Sequence, residues 1–503
     1  MTSFTLTNLR LIDPESGAET RGGLTVEDGV ITGLHEGTGT GTDCGRLCLA
    51  PGIVDIGVKV CEPGERHKES FGSAGQAAAA GGVTTMITRP DTTPTIDNPE
   101  TLEFVARRAR EAAPVRVLPM AALTKDRAGT EMTEIGFLMD AGAVAFTDGD
   151  HVIANTKVFS RALTYARSRG ALVIGHVQEP GLSDGACATS GKFASLRGLP
   201  SVSPMAERMG LDRDIALLEM TGARYHIDQI TTARALPALE RAKNNGLDIT
   251  AGVSIHHLTL NELDVADYRT FFKLKPPLRA EDDRTAVIEA VRTGLIDVIC
   301  SMHTPQDEES KRLPFEEAAS GAVGLETLLP AAMRLYHAGD LDLPTLFRAM
   351  SLNPAKRLGL AAGRLSEGAP ADLVLKGGLV WDMVTGAKIP GDVAICGDRI
   401  VGIGAEYEGD FRFSLGLQAF RGRKILAILY PHVREEDSVI RLIHSKLGLN
   451  GLGGQTDLPA YDGPAGLCPE ISVYALDRIS CLDVRGIQYM SQGGDRARGI
   501  GGS

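Results

Sequence analysis

The sequence predicts an α/β chain, a (β/α)8 TIM barrel joined to a small β-sandwich domain built from the N-terminal and post-barrel segments. Three observations lead there. Strand-like and helix-like stretches alternate about eight times over residues 51–360. Short alternating runs such as FTLTNLRLI and GLTVEDGVITGL, broken by Gly and Asp, fill residues 4–49. Finally, Leu6–Leu34 can be laid without gaps on Leu375–Ile403, matching Asp13 with Asp382, Gly17 with Gly386, Gly22 with Gly391 and Ile31 with Ile400. That echo reads as two copies of one strand-turn-strand unit.

Residues 1–50 therefore form the N-terminal part of the small β domain. From Pro51 the texture changes. GIVDIGVKV reads as a buried strand, SFGSAGQAAAAGG as a helix, VTTMITRP as a strand, PETLEFVARRAREAA as a helix and VRVLPMAAL as a strand. GAVAFTDG, ALVIGHV, ARYHIDQI, LDITAGVSI and LIDVICSM continue the series. In a barrel of this kind, chemistry belongs at the C-terminal ends of the strands. Residues 361–410 read as a post-barrel β segment and 411–503 as an atypical extension, partly disordered at its glycine-rich end GGDRARGIGGS. The extension holds two isolated histidines, His432 and His444, and no second barrel is expected in it.

The formal charge of −12, from 52 Lys and Arg against 64 Asp and Glu, is spread along the 503 residues. That excludes a nucleic-acid groove or an anionic membrane surface as the main partner. The opening MTSFTLTNLRLIDPESG lacks a basic segment followed by an apolar one, and no apolar run is long enough to span a bilayer, so a cytoplasmic location is expected. Eight cysteines without a CxxC pair point to reduced, packed thiols. The Gly-rich AAAAGGVTT lacks phosphate-loop spacing and reads as a helix-to-strand turn.

The stretch APGIVDIGVKVCEPGERHKESFGSAGQAAAAGGVTTMITRPDTTPTIDNP resembles the class I dihydroorotases of the amidohydrolase superfamily. The resemblance continues through VIGHVQEP, GARYHIDQITT, HHLTL, FFKLKPPLR, DVICSMHTPQDEESK, PFEEAASGAVGLET and NPAKRLGL, over about residues 4–375 in family order. It implies a barrel of the amidohydrolase type and hydrolysis of a cyclic amide by metal-bound hydroxide. A bound zinc lowers the pKa of its water from 15.7 to about 7, roughly 12 kcal/mol of nucleophile activation.

The residues that carry that chemistry are missing. Where the resemblance implies His-X-His and then a substrate-gripping Arg, this chain has Gly57, Lys59 and Cys61. Glycine offers no donor atom, and a lysine ammonium has no free lone pair. Gln229 stands where a further ligand His is implied. Met302 stands where the Asp that binds metal and moves the proton is implied, and Gln306 at a later His position. Retained are His176, at a metal-binding position, and Asp148, although the second of two successive Asp residues is here Gly149. Asp91 and Lys275 replace two asparagines of the substrate grip. Lys59, Lys275, Asp91 and Asp148 read as a self-neutralising ion-pair network in a disused cavity. His226, His256, His257 and His303 read as packed side chains and His67 as a solvated one.

The expectation is a non-catalytic homologue with no cofactor. The resemblance implies a structural partner for the aspartate transcarbamoylase catalytic chain in pyrimidine biosynthesis, and an oligomer is expected. The alternative is an active, zinc-dependent dihydroorotase or related cyclic amidohydrolase. After EGAPADLVL, the segment 375–410 resembles the opening of adenine deaminase.

Overall fold

The computed structural model describes residues 3–36, 40–381, 388–396 and 399–404, with side chains through Leu373. The chain divides into a unit spanning Met1–Arg434 and a second, Glu435–Ser503, which lies outside the described residues. The extension 411–503, with His432 and His444, lies outside them too.

Strands β1 (Ser3–Asp13), β2 (Ala18–Glu27), β3 (Val30–Glu36), β4 (Thr42–Asp43) and β5 (Cys48–Pro51) open the chain. β1 and β2 are antiparallel, with a register shift between Leu6 and Leu9 where the ladder passes from Leu6–Leu24 to Leu9–Gly22. Leu9, Leu24, Val26, Ile31 and Leu49 are buried beneath this sheet, as period-2 alternation requires of a half-buried surface.

A series of parallel strands follows. β6 (Ile53–Val58), β7 (Val83–Thr88) and β8 (Arg116–Pro119) pair in parallel. The fourth position, in GAVAFTDG, is too short to register as a full strand: Phe146 alone bridges Ala121 on one side and Val173 on the other. Backbone hydrogen bonds still run on both sides of it, from Ala121 N to the Ala145 carbonyl (3.0 Å) and from Phe146 N to the Leu172 carbonyl (2.9 Å). Next come β9 (Leu172–Gly175), the short pair β10 (Ala188–Thr189) and β11 (Ser201–Val202) in a connecting loop, then β12 (Arg224–Ile227), β13 (Ile249–Ser254) and β14 (Val298–Cys300). β9, β12, β13 and β14 are again parallel neighbours. The last position meets the first: Lys59 N donates to the His303 carbonyl at 2.8 Å, and Ser301 N to Asp55 Oδ1 at 2.8 Å.

Helices between the strands start where the sequence marks them. Ser70 and Ser73 form a reciprocal cap on the helix Phe71–Ala80, satisfying donors a helix start leaves free. Asn98 caps Pro99–Ala112, with Pro in its first turn. Phe71, Met86, Phe146, Phe159 and Tyr225 are among the large side chains of one continuous core. No described helix is long and apolar enough to cross a membrane.

β15 (Leu373–Trp381) pairs antiparallel with β5, bringing the two ends of the intervening segment into one sheet. β16 (Lys388–Cys396) and β17 (Arg399–Gly404) follow, giving the order β17-β16-β15-β5-β1-β2-β3, with β4 on β1. The sequence echo is an echo of register as well. Leu375–Val393 and Gly378–Gly391 pair across a shift at the same place as in β1 and β2, and the shift in β2–β3 after Thr25–Gly33 recurs after Ala394–Gly402. A conserved bulge position is a designed feature of a strand pair, so the two three-strand units share one backbone plan.

Candidate functional site

The strand ends that close the ring carry the residues singled out by sequence. Gly57, near the end of β6, has φ +96°, and a Cβ there would lie 3.0 Å from Met302 Sδ. Met302, just past β14, itself holds φ +47°. The thioether therefore occupies the space in front of Gly57. Lys59 turns to Asp91, Nζ to Oδ2 at 3.3 Å. Cys61 is buried, and desolvation pushes its thiol up to about 11, so it is no thiolate.

Asp91 is also clasped by Arg89, with Nε–Oδ1 at 3.0 Å and Nη2–Oδ2 at 2.6 Å. Burial alone would raise the Asp91 carboxyl, but Arg89 and then Lys59 outweigh it and hold the pKa below the usual range. Asp150 lies beside them, 3.7 Å from Arg89 Nη2, 3.7 Å from Arg127 Nη1 and 3.4 Å from Lys275 Nζ. Burial opposes its ionisation, and the charges of Arg89 and Lys275 again prevail.

Asp148 does not join this network, contrary to the grouping read from sequence. It accepts from Leu123 N (3.0 Å), Thr124 N (2.9 Å) and the Thr124 hydroxyl, and burial raises its pKa. Gly149, at φ +65°, turns the chain so that Asp150 supplies the carboxylate instead. Sequence reasoning missed Arg89, Arg127, Asp150 and Asp228. The signal for Asp150 was present in TDGD, where the carboxylate missing after Asp148 reappears one residue later.

His176 Nδ1 pairs with Asp228 Oδ2 at 2.8 Å, and Asp228 Oδ1 accepts from Gln229 N at 2.6 Å. His176 Nε2 is buried without a partner. Gln229 Nε2 donates to the Lys275 carbonyl at 3.4 Å and leaves Oε1 unpartnered. Gln306 is turned away, its Nε2 donating to the Ser320 carbonyl at 2.8 Å.

The other histidines are held by the scaffold. His226 Nδ1 lies 2.8 Å from Thr250 Oγ1, and burial lowers its pKa to about 3. Burial likewise lowers His256 to about 4 and His257 to about 3. His303 Nδ1 accepts from Gly324 N at 3.0 Å, so Nε2 carries the proton it donates to Glu69 at 2.7 Å. His67 is exposed.

The donor set does not fit zinc. A catalytic zinc needs three protein donors and an open position. Among the described residues no group of three His, Cys, Asp or Glu side chains is placed to hold a metal ion. Gly57 contributes no atom, Lys59 is an ion-paired cation, and Met302 offers a thioether where a hard carboxylate would be required. Position 302 carries no carboxylate that could serve as a general base.

The model of the Dihydro-orotase-like family matches residues 45–235. A dihydroorotase of Wolbachia sp. subsp. Drosophila simulans is 37% identical over 376 residues, covering 73% of this chain and 85% of that protein. A protein of Pseudomonas aeruginosa described as dihydroorotase-like is 38% identical over 378 residues, covering 74% and 89%. Among solved structures, the L-hydantoinase (dihydropyrimidinase) of Arthrobacter aurescens superposes with a TM-score of 0.68 at 22% identity, over 83% of this chain and 98% of that one, which speaks for the fold alone. The chain belongs to the dihydroorotase-like family.

Proposed function

We propose that this chain is a non-catalytic dihydroorotase-like protein of pyrimidine biosynthesis, acting as a structural partner of the aspartate transcarbamoylase catalytic chain. The observation that carries the first half is the Gly57–Met302 contact: a thioether fills the space before a ligand position that has lost its side chain. Gln229 and Lys59 complete the loss at four positions in a scaffold that otherwise keeps its strands, caps and core. A surface role accounts for a barrel kept without its ligands. We read the ring of parallel positions as the (β/α)8 barrel, and the eight-stranded sheet as the small companion domain, in a cytoplasmic oligomer. Residues 375–410 we read, from their sequence, as resembling the opening of an adenine deaminase.

Elemental analysis of the purified chain, with an assay of carbamoyl aspartate cyclisation, tests the catalytic half. The expected result is less than one zinc per chain and no turnover. Stoichiometric zinc with cyclisation would establish an active zinc-dependent amidohydrolase instead. Restoring histidine at Gly57 and Lys59 alone should leave the protein inactive, because Gln229 and Met302 remain. For the partner, co-expression with aspartate transcarbamoylase and size-exclusion chromatography should give one large complex that persists at moderate salt, its interface burying on the order of 1,000 Å² or more. Separate elution, with transcarbamoylase fully active alone, would end the scaffold reading.

A further inference from the structure

The helix Met205–Thr221 is apolar on two opposite faces. One is the ordinary inward face, where Ala206, Gly210, Leu211, Leu217 and Leu218 are buried and the three leucines belong to the main core. The other is turned to water. Met205, Met209 and Met220 are 42%, 46% and 74% exposed, and Ala216 is exposed among them. At 3.6 residues per turn these four fall within about 60° of arc, along about 22 Å of helix. A surface helix ordinarily turns polar side chains outward, and an exposed apolar stripe marks an interaction surface.

The order of residues in the stripe fits a second copy of itself. Place a two-fold axis at its midpoint, between Asp212 and Arg213, and pair the helices antiparallel. Met205 then comes opposite Met220 of the second copy, and the large Met209 opposite the small Ala216. Each contact is made twice, as a closed two-fold interface requires, and methionine side chains adapt to one another's shape. The charges suit the same register. The helix carries six charged residues, of which five are paired within the chain: Glu207 with Arg279 (3.4 Å), Arg208 with Asp212 (2.5 Å) and Arg213 with Asp214 (2.6 Å). The sixth, exposed Glu219, is in no ion pair among the described residues. In the two-fold pair it lies on the same flank as Arg208 of the second copy, within about 3 Å of it along the axis. Asp212, beside the axis, meets its own copy while held between Arg208 and Arg241 (3.8 Å). The helices Thr156–Arg169 and Leu236–Asn244 pack beside this one, and they supply the polar rim that brings such a contact toward the roughly 800 Å² per partner of a stable interface.

We propose that the methionine stripe of Met205–Thr221 is the two-fold interface of a dimer of this chain. The proposal does not depend on how the cleft is read.

Sedimentation velocity of the full chain should show a dimer. Met209→Glu and Met220→Glu should each raise its dissociation constant at least about tenfold, by placing an unpaired carboxylate in the apolar centre, whereas Met209→Leu should keep the dimer. Circular dichroism checks that each variant folds. Under mild oxidation, a mixture of Met209→Cys and Ala216→Cys chains should form a 209–216 disulfide-linked dimer in higher yield than either variant alone. A chain that is monomeric throughout overturns the proposal, as does a dimer indifferent to both glutamate substitutions. A mixture that cross-links no better than its components overturns the pairing of Met209 with Ala216. A monomer whose Met209 and Met220 resist peroxide shows that another part of the same chain covers the stripe, which overturns the proposal as well.

Discussion

Two buried polar clusters at the strand ends solve the same electrostatic problem differently. Glu207, fully buried on the helix Met205–Thr221, accepts from Thr231 N (2.9 Å), Thr232 N (2.9 Å), both threonine hydroxyls and Arg279 Nη2 (3.4 Å). Every lone pair has a use. The cluster around the cleft, by contrast, ties Lys59, Arg89, Arg127 and Lys275 to Asp91 and Asp150, and His176 Nε2, Gln229 Oε1 and His257 Nδ1 are buried without hydrogen-bond partners. A satisfied network rigidifies a core, whereas an incomplete one marks a place shaped for something else. In this chain the complete cluster is scaffold and the incomplete one belongs to the candidate site.

That contrast fixes the order of expected effects. Glu207→Ala should cost the most, about 3–5 kcal/mol, because it strands the buried Arg279 guanidinium as well as two backbone donors. Urea unfolding measures it, and a midpoint within error of the parent would erase the distinction between the clusters. Asp91→Ala should cost less, about 2–3 kcal/mol, since Arg89 keeps Asp150 at 3.7 Å and Lys59 is part-exposed. An equal or larger loss than for Glu207→Ala would mean that the cleft is scaffold too.

Gly57→Ala should destabilise by about 1–3 kcal/mol, combining a left-handed backbone with the contact to Met302. Adding Met302→Ala should recover the contact part and not the backbone part, a coupling of at least about 0.5 kcal/mol in a double-mutant cycle. Strict additivity would show that the two residues do not press on each other.

A further effect is a slope. Burial holds folded His226 near pKa 3, below the 6.5 of a free imidazole. The unfolded chain therefore takes up a proton that the folded one refuses, and the contribution of neutral His226, complete above about pH 6.5, is lost as pH falls toward 3. Buried Asp55, raised to about 6 by desolvation, acts in the opposite direction between about pH 3.8 and 6. A comparison with His226→Gln cancels that opposing group. The stability gap between parent and variant should narrow from pH 7 to pH 5; a constant gap would place a protonated imidazole in the scaffold.

Much of the fold was legible because its signals are local. The runs that became β6, β7, β9, β12, β13 and β14 are apolar over the length of a strand, Asn98 and Ser70 announce their helices, and the echo of Leu6–Leu34 at Leu375–Ile403 anticipated one backbone plan used twice. GAVAFTDG was the weakest such signal and gave a single bridging residue, Phe146. The donor chemistry of single positions was legible too, since it depends on atoms the side chains lack: Gly57 has no donor and a lysine ammonium at position 59 no lone pair in any fold.

Tertiary structure alone decided the pairings. Asp150 rather than Asp148 meets Lys275, and the contact runs between residues far apart in sequence. Met302 reaches Gly57 only because β14 returns beside β6. Glu207 finds Thr231, Thr232 and Arg279 only when helix, loop and strand end converge. Periodicity and donor chemistry belong to each residue or its near neighbours, and a sequence states them directly. Which charge lies within 4 Å of which depends on where separate strand ends point once the core has packed, and that geometry exists only in the folded chain.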